Sequence, residues 1–215
     1  MFEVGRAWGK SIVTALARLD GHPVAVLASD PGQMGGTWTA AASRKMARLV
    51  ELAETFRLPV VHFVDVGGFT IGSQAEKAGT IRDGTRAIAT IFQSTVPWCA
   101  VILRRAFGVA GAGMIDHTRF RYRIAWPSGD WGSLPVEGGL EAAFKAQIAA
   151  APDPEAAKRE IRARLERLRS PFRSAERFYV EEIVPPSETR RWLTEFAQLA
   201  ARAPAAAAPG FHYRP

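Results

Sequence analysis

Two apolar runs in this chain break into glycine-rich turns, and a helical pattern follows each turn. The first run, Leu58-Pro59-Val60-Val61-His62-Phe63, passes into Val64-Asp65-Val66-Gly67-Gly68-Phe69. The second, Cys99-Ala100-Val101-Ile102-Leu103-Arg104, leads to Phe107-Gly108-Val109-Ala110-Gly111-Ala112-Gly113. Near-continuous apolar strands alternating with helices are the pattern of a parallel sheet covered on both faces, an α/β fold. Right-handed crossovers then bring both turns to the carboxyl end of the sheet, where open α/β sheets bind ligands. A strand that stops in small residues and opens a helix leaves main-chain N–H groups uncovered at the positive end of that helix. Such donors can hold a developing oxyanion without a side-chain nucleophile.

The other elements follow from periodicity and turn chemistry. Ser11 to Arg18 and Pro23 to Ala28 read as strands, joined by the hairpin turn Leu19-Asp20-Gly21-His22. Gly32 to Gly36 reads as a loop. From Thr39 to Arg57, Met46, Leu49, Val50, Ala53 and Phe56 recur at helical spacing. A helix is expected from Glu76 to Ser94, a strand from Trp98 to Arg104, and a short strand from Ile124 to Pro127. Val136 to Ile148 reads as a helix, and Asp153-Pro154-Glu155 opens another to Arg169. Ser187 is the expected cap of a last helix running to Arg202. Residues 1–202 then form one domain, with Ala203 to Pro215 as a mobile Ala/Pro-rich tail.

Several chemistries lack their residues. One cysteine, Cys99, among 215 residues excludes a disulfide framework and makes a reducing, cytoplasmic setting the expectation. No apolar stretch approaches the roughly 20 residues of a membrane span, and no signal-peptide pattern opens the sequence. The net charge of +7 accompanies no recognised nucleic-acid motif, so neither nucleic acid nor membrane is expected as a partner. The glycine spacing fits neither a dinucleotide nor a P-loop cradle, and no Gly-x-Ser-x-Gly elbow occurs. Four scattered histidines and one cysteine give no metal spacing. His62 reads as a packed, hydrogen-bonded core residue, and Asp65 as a residue that orients the first turn by bonding its backbone. Asp116 and His117 form a loop pair, and Arg121 and Arg123 are candidate phosphate neighbours.

A series of segments resembles the C-terminal half of the carboxyltransferase (beta) subunit of biotin-dependent acyl-CoA carboxylases, of the propionyl- and methylcrotonyl-CoA carboxylase type. The segments are Ser11 to Val24, Phe63 to Gly72, Gly79 to Arg86, Thr95-Val96-Pro97, Arg104 to Gly108, Ala125-Trp126-Pro127 and Ile183 to Arg190. They occur in order between about Gly5 and Leu199. The resemblance implies a crotonase-like (ClpP/crotonase) domain of sheet and helix layers. It implies transfer of a carboxyl group from carboxybiotin, on a carrier protein, to the α-carbon of an acyl-CoA. It further implies that the main-chain N–H groups of Val109 and Ala110 form an oxyanion hole for the biotin ureido carbonyl. Gly67, Gly68, Phe69 and Gly108 then form the biotin pocket.

The family's glycine-glycine-alanine turn reads Gly108-Val109-Ala110 here, so a side chain replaces one glycine. A family subunit also carries two crotonase-like halves, and this chain resembles the second. The resemblance therefore implies an N-terminal carboxyltransferase half, a biotin carboxyl carrier protein and acyl-CoA as partners, in a homo- or hetero-oligomer, with no activity for this half alone. A biotin-dependent acyl-CoA decarboxylase component and a non-catalytic or truncated scaffold subunit are the rival readings. A stand-alone hydratase would be marked by paired glutamates near the turns, and none is present there.

Overall fold

The computed structural model describes residues 1–113, 121–133 and 136–203. The expectations for Asp116, His117, the Arg121 side chain and the tail beyond Ala203 fall outside the described residues. Among the described residues eight strands form one sheet: β1 (Phe2–Val4), β2 (Ile12–Leu19), β3 (His22–Ser29), β4 (Val60–Val66), β5 (Trp98–Phe107), β6 (Arg121–Ala125), β7 (Asp130–Gly132) and β8 (Glu182–Ile183). Their order is β1-β2-β3-β4-β5-β6-β8, and β7 pairs with β5. The β1/β2 and β2/β3 pairs are antiparallel and the rest are parallel. Asp20 and Gly21 make the β2–β3 turn with φ of 49° and 81°, the left-handed pair that a two-residue hairpin needs.

Helices cover both faces. On one face lie α1 (Ala40–Phe56), the short α2 (Ser73–Lys77) and α3 (Thr80–Gln93). Thr39 caps α1 by accepting from Ala42 N at 3.1 Å. The expected single helix from Glu76 to Ser94 is two helices, because Gly79 at φ 75° turns the chain between them. Met46, Val50, Ala53, Ala87 and Ile91 of α1 and α3 meet Leu27, Val60, Val64, Ala100 and Ile102 in the larger core. The opposite face buries Val61, Cys99, Val101 and Ile124 against Leu193, Phe196 and Ala197 of a C-terminal helix, Thr189–Arg202. Alternate residues of β4 and β5 thus serve different cores, as strands with two buried faces must.

The expected strand ends are short by a few residues. β4 runs on to Val66 and β5 to Phe107, so each glycine-rich turn begins where its ladder stops. A five-residue helix, α4 (Gly108–Ala112), follows β5 directly. After β7 come α5 (Val136–Ala149) and α6 (Pro154–Leu168), which share a small core of Leu140, Phe144, Ile161 and Leu165. Asp153 caps α6 by accepting from Glu155 N and Ala156 N at 3.0 and 2.9 Å. A short helix α7 (Pro171–Ala175) leads into β8. The C-terminal helix, α8 (Thr189–Arg202), is not capped by Ser187. Pro186 to Glu188 form a 3-10 turn that runs straight into it, and Glu188 holds the cap position.

Candidate active site at paired strand-to-helix turns

β4 and β5 lie side by side in parallel, with Val60 opposite Trp98 and Val64 opposite Ile102. Beyond that point the register slips, and Val66 stands opposite Ala106. The slip places Arg104 and Arg105 together at the end of the sheet. Asp65 receives both. Arg104 donates to its Oδ2 from Nε at 3.1 Å and Nη2 at 2.8 Å. Arg105 donates to its Oδ1 from Nε at 3.0 Å and from the main-chain N at 3.3 Å. Burial pushes the Asp65 carboxyl up, but the hydrogen bonds from Arg104 and then Arg105 outweigh it and hold the group below the usual carboxylate range. Asp65 therefore ties the tip of β4 to β5 and does not bond the backbone of its own turn.

The two turns meet at the sheet end. A Cβ built on Gly68, which has φ 123°, would lie 3.9 Å from the Phe107 carbonyl oxygen. Trp38 N donates to Gly68 O at 3.0 Å and Thr70 N to Trp38 O at 3.1 Å, which stitches the first turn to the segment before α1. Phe69 turns inward, its ring 5.6 Å from that of Trp38 in an edge arrangement and against Gly84 of α3.

At the second turn Phe107 is the last residue paired in the ladder, opposite Gly132. Gly108 has φ 62°, a left-handed conformation that a side chain resists. The chain then enters α4, so Val109 and Ala110 occupy its first turn, where N–H groups have no carbonyl one turn back within the helix. A left-handed residue followed by helical ones aims successive N–H groups into one concavity. The two residues differ in access. Val109 is 63% exposed, while Ala110 is 0% exposed and packs into the core. Gly111 is required by packing, since a Cβ there would lie 2.5 Å from the Ala106 carbonyl carbon.

A cavity of about 680 Å³ opens beside α4. Gly108, Val109, Gly111 and Ala112 contribute to its wall, and Gly67, Gly68, Phe69 and Ala110 do not. Two side-chain pairings that the sequence did not show build it, and one of them takes up Arg123, the candidate phosphate neighbour, with a carboxylate. Arg123, 5% exposed, reaches across from β6 to Glu181 Oε1 at 2.9 Å and to the Phe178 carbonyl at 2.9 Å, and so clamps the segment between α7 and β8 over the cavity. Arg169 pairs with Asp130 at 2.7 Å and lies 4.6 Å from the Phe107 ring centroid. The alternation in Arg121-Tyr122-Arg123-Ile124-Ala125 puts Arg123 on the face of Ala125, opposite Tyr122 and Ile124, but gives no sign of its partner, which lies 58 residues away.

The histidine and cysteine in the strands are core residues. His62 is fully buried, its ring 5.8 Å from that of Trp98, and burial lowers its pKa from 6.5 to about 3. Neither ring nitrogen has a hydrogen-bond partner among the described residues, unlike the bonded histidine expected. Burial, and then the Glu181 charge, push the Cys99 thiol up, which suits a small hydrophobe and not a thiolate nucleophile.

A mixed sheet with helical layers and two amide-lined turns at one end is the architecture of a crotonase-like carboxyltransferase domain. The chain belongs to the family described as "Carboxyl transferase domain", which matches residues 1–213. It is 34% identical over 194 residues to the propionyl-CoA carboxylase carboxyltransferase subunit of Haloferax mediterranei, covering 89% of this chain and 38% of that one. It is 34% identical over 191 residues to the methylmalonyl-CoA carboxyltransferase 12S subunit of Propionibacterium freudenreichii subsp. shermanii, covering 88% and 36%. The crystal structure of a transcarboxylase 12S hexamer with methylmalonyl-coenzyme A and methylmalonic acid bound superposes with a TM-score of 0.90 and 30% identity. It covers 99% of this chain and 41% of that one. This chain thus spans less than half the length of these relatives. Among the described residues no helix is long and apolar enough to cross a membrane.

Proposed function

We propose that this chain is the C-terminal, biotin-side half of an acyl-CoA carboxyltransferase, and that it works in the cytoplasm only when an N-terminal half faces it. The observation that carries the reading is the Gly108 turn, which follows the Phe107 carbonyl that Gly68 approaches and sets Val109 in the first turn of a helix at the rim of a cavity, in a chain that matches the carboxyl transferase domain nearly end to end. Main-chain N–H groups in a water-poor concavity suit a carbonyl oxygen that gains negative charge. The residues therefore fit a cyclic urea such as biotin. Val109 and Ala110 hold the ureido oxygen, Gly108 and the Gly67-Gly68-Phe69 turn bound the pocket, and the partner half holds the thioester. Carboxybiotin on a carrier protein would supply the carboxyl group; the acyl-CoA α-carbon would take it in exchange for a proton that passes to the freed biotin N1. The protein's share is to stabilise the oxyanion and to shield it from water.

The test is reconstitution. The chain is assayed for carboxyl transfer alone, and then with an N-terminal carboxyltransferase half and a biotinylated carrier. Activity is expected only in the mixture. Ala110→Pro removes one N–H, and loss of one such donor lowers kcat about 10²- to 10³-fold. A correctly folded Ala110→Pro chain with unchanged activity overturns the amide mechanism.

A second reading, a non-catalytic subunit that only assembles with carboxylase components, draws on one observation: Ala110 is fully buried and lies outside the cavity wall. Co-purification with a biotinylated protein, without turnover in the reconstituted mixture, is its signature.

A further inference from the structure

We infer that the cavity beside α4 receives the aliphatic tail of an acyl group, and that the acyl-CoA handled here carries a medium or long chain. This deepens the carboxyltransferase reading and rests on it for the identity of the thioester.

Size is the first argument. At about 30 Å³ for each water-sized group, a three-carbon acyl unit fills about 100 Å³. The cavity holds about 680 Å³, within the range of pockets that enclose whole small ligands. A two- or three-carbon acyl group would leave most of it empty.

Lining is the second argument. Ala100, Ile102 and Ala106 of β5 form one wall, and Trp131, Leu168 and Val180 face it from β7, α6 and the segment before β8. Leu168 and Tyr179 remain 53% and 56% exposed, so apolar surface continues outward from the cavity. The two arginines in the wall do not recruit an anion. Arg123 is matched by Glu181 and Arg169 by Asp130, at 2.9 and 2.7 Å. Among the described residues Arg123 Nη1 and Arg169 Nε have no hydrogen-bond partner, but both atoms are buried and offer no exposed surface to the cavity. Largely apolar walls whose two arginines are each paired with a carboxylate favour a hydrocarbon over a charged group.

Position is the third argument. Gly108 and Val109 belong to the same wall, so a chain seated in the cavity ends beside the turn where the carbonyl chemistry is placed. The biotin ring and the acyl α-carbon must meet there, and the rest of the acyl chain then needs a path away from the meeting point.

The test measures binding of acetyl-, hexanoyl-, octanoyl- and palmitoyl-CoA, with CoA as the blank, to the full 215-residue chain assembled with an N-terminal carboxyltransferase half, by titration calorimetry. Each methylene buried should tighten binding about fourfold until the cavity is full. Gly132 lines the cavity, and a Cβ there meets nothing within 4 Å, so Gly132→Leu fills space without backbone strain. It should weaken octanoyl-CoA at least tenfold and leave acetyl-CoA unchanged. Affinity independent of chain length overturns the inference, as does an equal loss for every acyl-CoA in Gly132→Leu. Loss of free biotin binding in that variant, with octanoyl-CoA unaffected, also overturns it. Chain-length-dependent binding without carboxyl transfer in the reconstituted mixture supports the pocket and sinks the carboxyltransferase reading. Turnover equally good on acetyl- and octanoyl-CoA sinks the inference and leaves that reading standing.

Discussion

Replacing His62 by leucine gives a direct reading of the core beneath the turns. The imidazole is fully buried in β4, neither nitrogen has a partner among the described residues, and burial lowers its pKa from 6.5 to about 3. The folded pKa lies below the unfolded one, so across that interval the unfolded chain binds a proton that the folded chain refuses. Stability is therefore greatest above the unfolded pKa and falls as pH drops through it, at close to 1.4 kcal/mol per pH unit within the window. Between about pH 7.5 and about pH 5 the loss amounts to about 2 kcal/mol. Leucine abolishes this term. Near neutrality it also removes two unsatisfied buried nitrogens, a gain of about 1–3 kcal/mol, set against about 0.5–1.5 kcal/mol for the lost edge contact with Trp98. Urea unfolding of both chains, followed by far-UV circular dichroism and extrapolated to water, should show His62→Leu equal to or somewhat more stable than the parent near pH 7.5. Its advantage should then grow by about 2 kcal/mol near pH 5. Asp65 and Glu54 titrate below the usual carboxylate range and are common to both chains, so they cancel. An identical stability difference at the two pH values refutes the account, because it would mean that the folded chain can protonate His62.

Two further substitutions probe the ends of the strands. Gly111→Val drives a branched side chain into the Ala106 carbonyl; it should cost about 1–3 kcal/mol in denaturant unfolding and displace α4, with a matching fall in reconstituted activity. Asp65→Ala leaves Arg104, Arg105 and the Arg105 N–H without their shared acceptor; a loss of about 1.5–3 kcal/mol is expected above the carboxylate range, and it should shrink as acid protonates Asp65 in the parent.

Much of the fold was legible because local chemistry specified it. Asp20-Gly21 can make a left-handed hairpin turn where most dipeptides resist one, Asp153-Pro154 can open a helix, and the apolar spacing of Met46, Leu49, Val50 and Ala53 suits only one face of a helix. The Gly79 break in the expected helix was missed because a lone glycine is tolerated within helical periodicity. Ser187 was misread as a cap because Ser before a helical pattern is the usual signal, whereas the Pro185-Pro186 pair imposes a 3-10 turn first.

What the linear order of residues determined by itself is the set of strands, helices and small-residue turns, since propensity, capping and periodicity act within a few residues. It also placed the Gly67-Gly68 and Gly108 turns at the same end of neighbouring parallel strands, because crossover handedness leaves little freedom. Tertiary structure alone decided which of those turns lines a cavity. It buried Ala110 while exposing Val109, and it recruited Arg123 with Glu181 and Arg169 with Asp130 to close the cavity wall. These choices depend on a register slip between β4 and β5 and on side-chain pairings that span 39 and 58 residues. Contacts at such separations are selected by the packing of whole elements, and no local pattern encodes them.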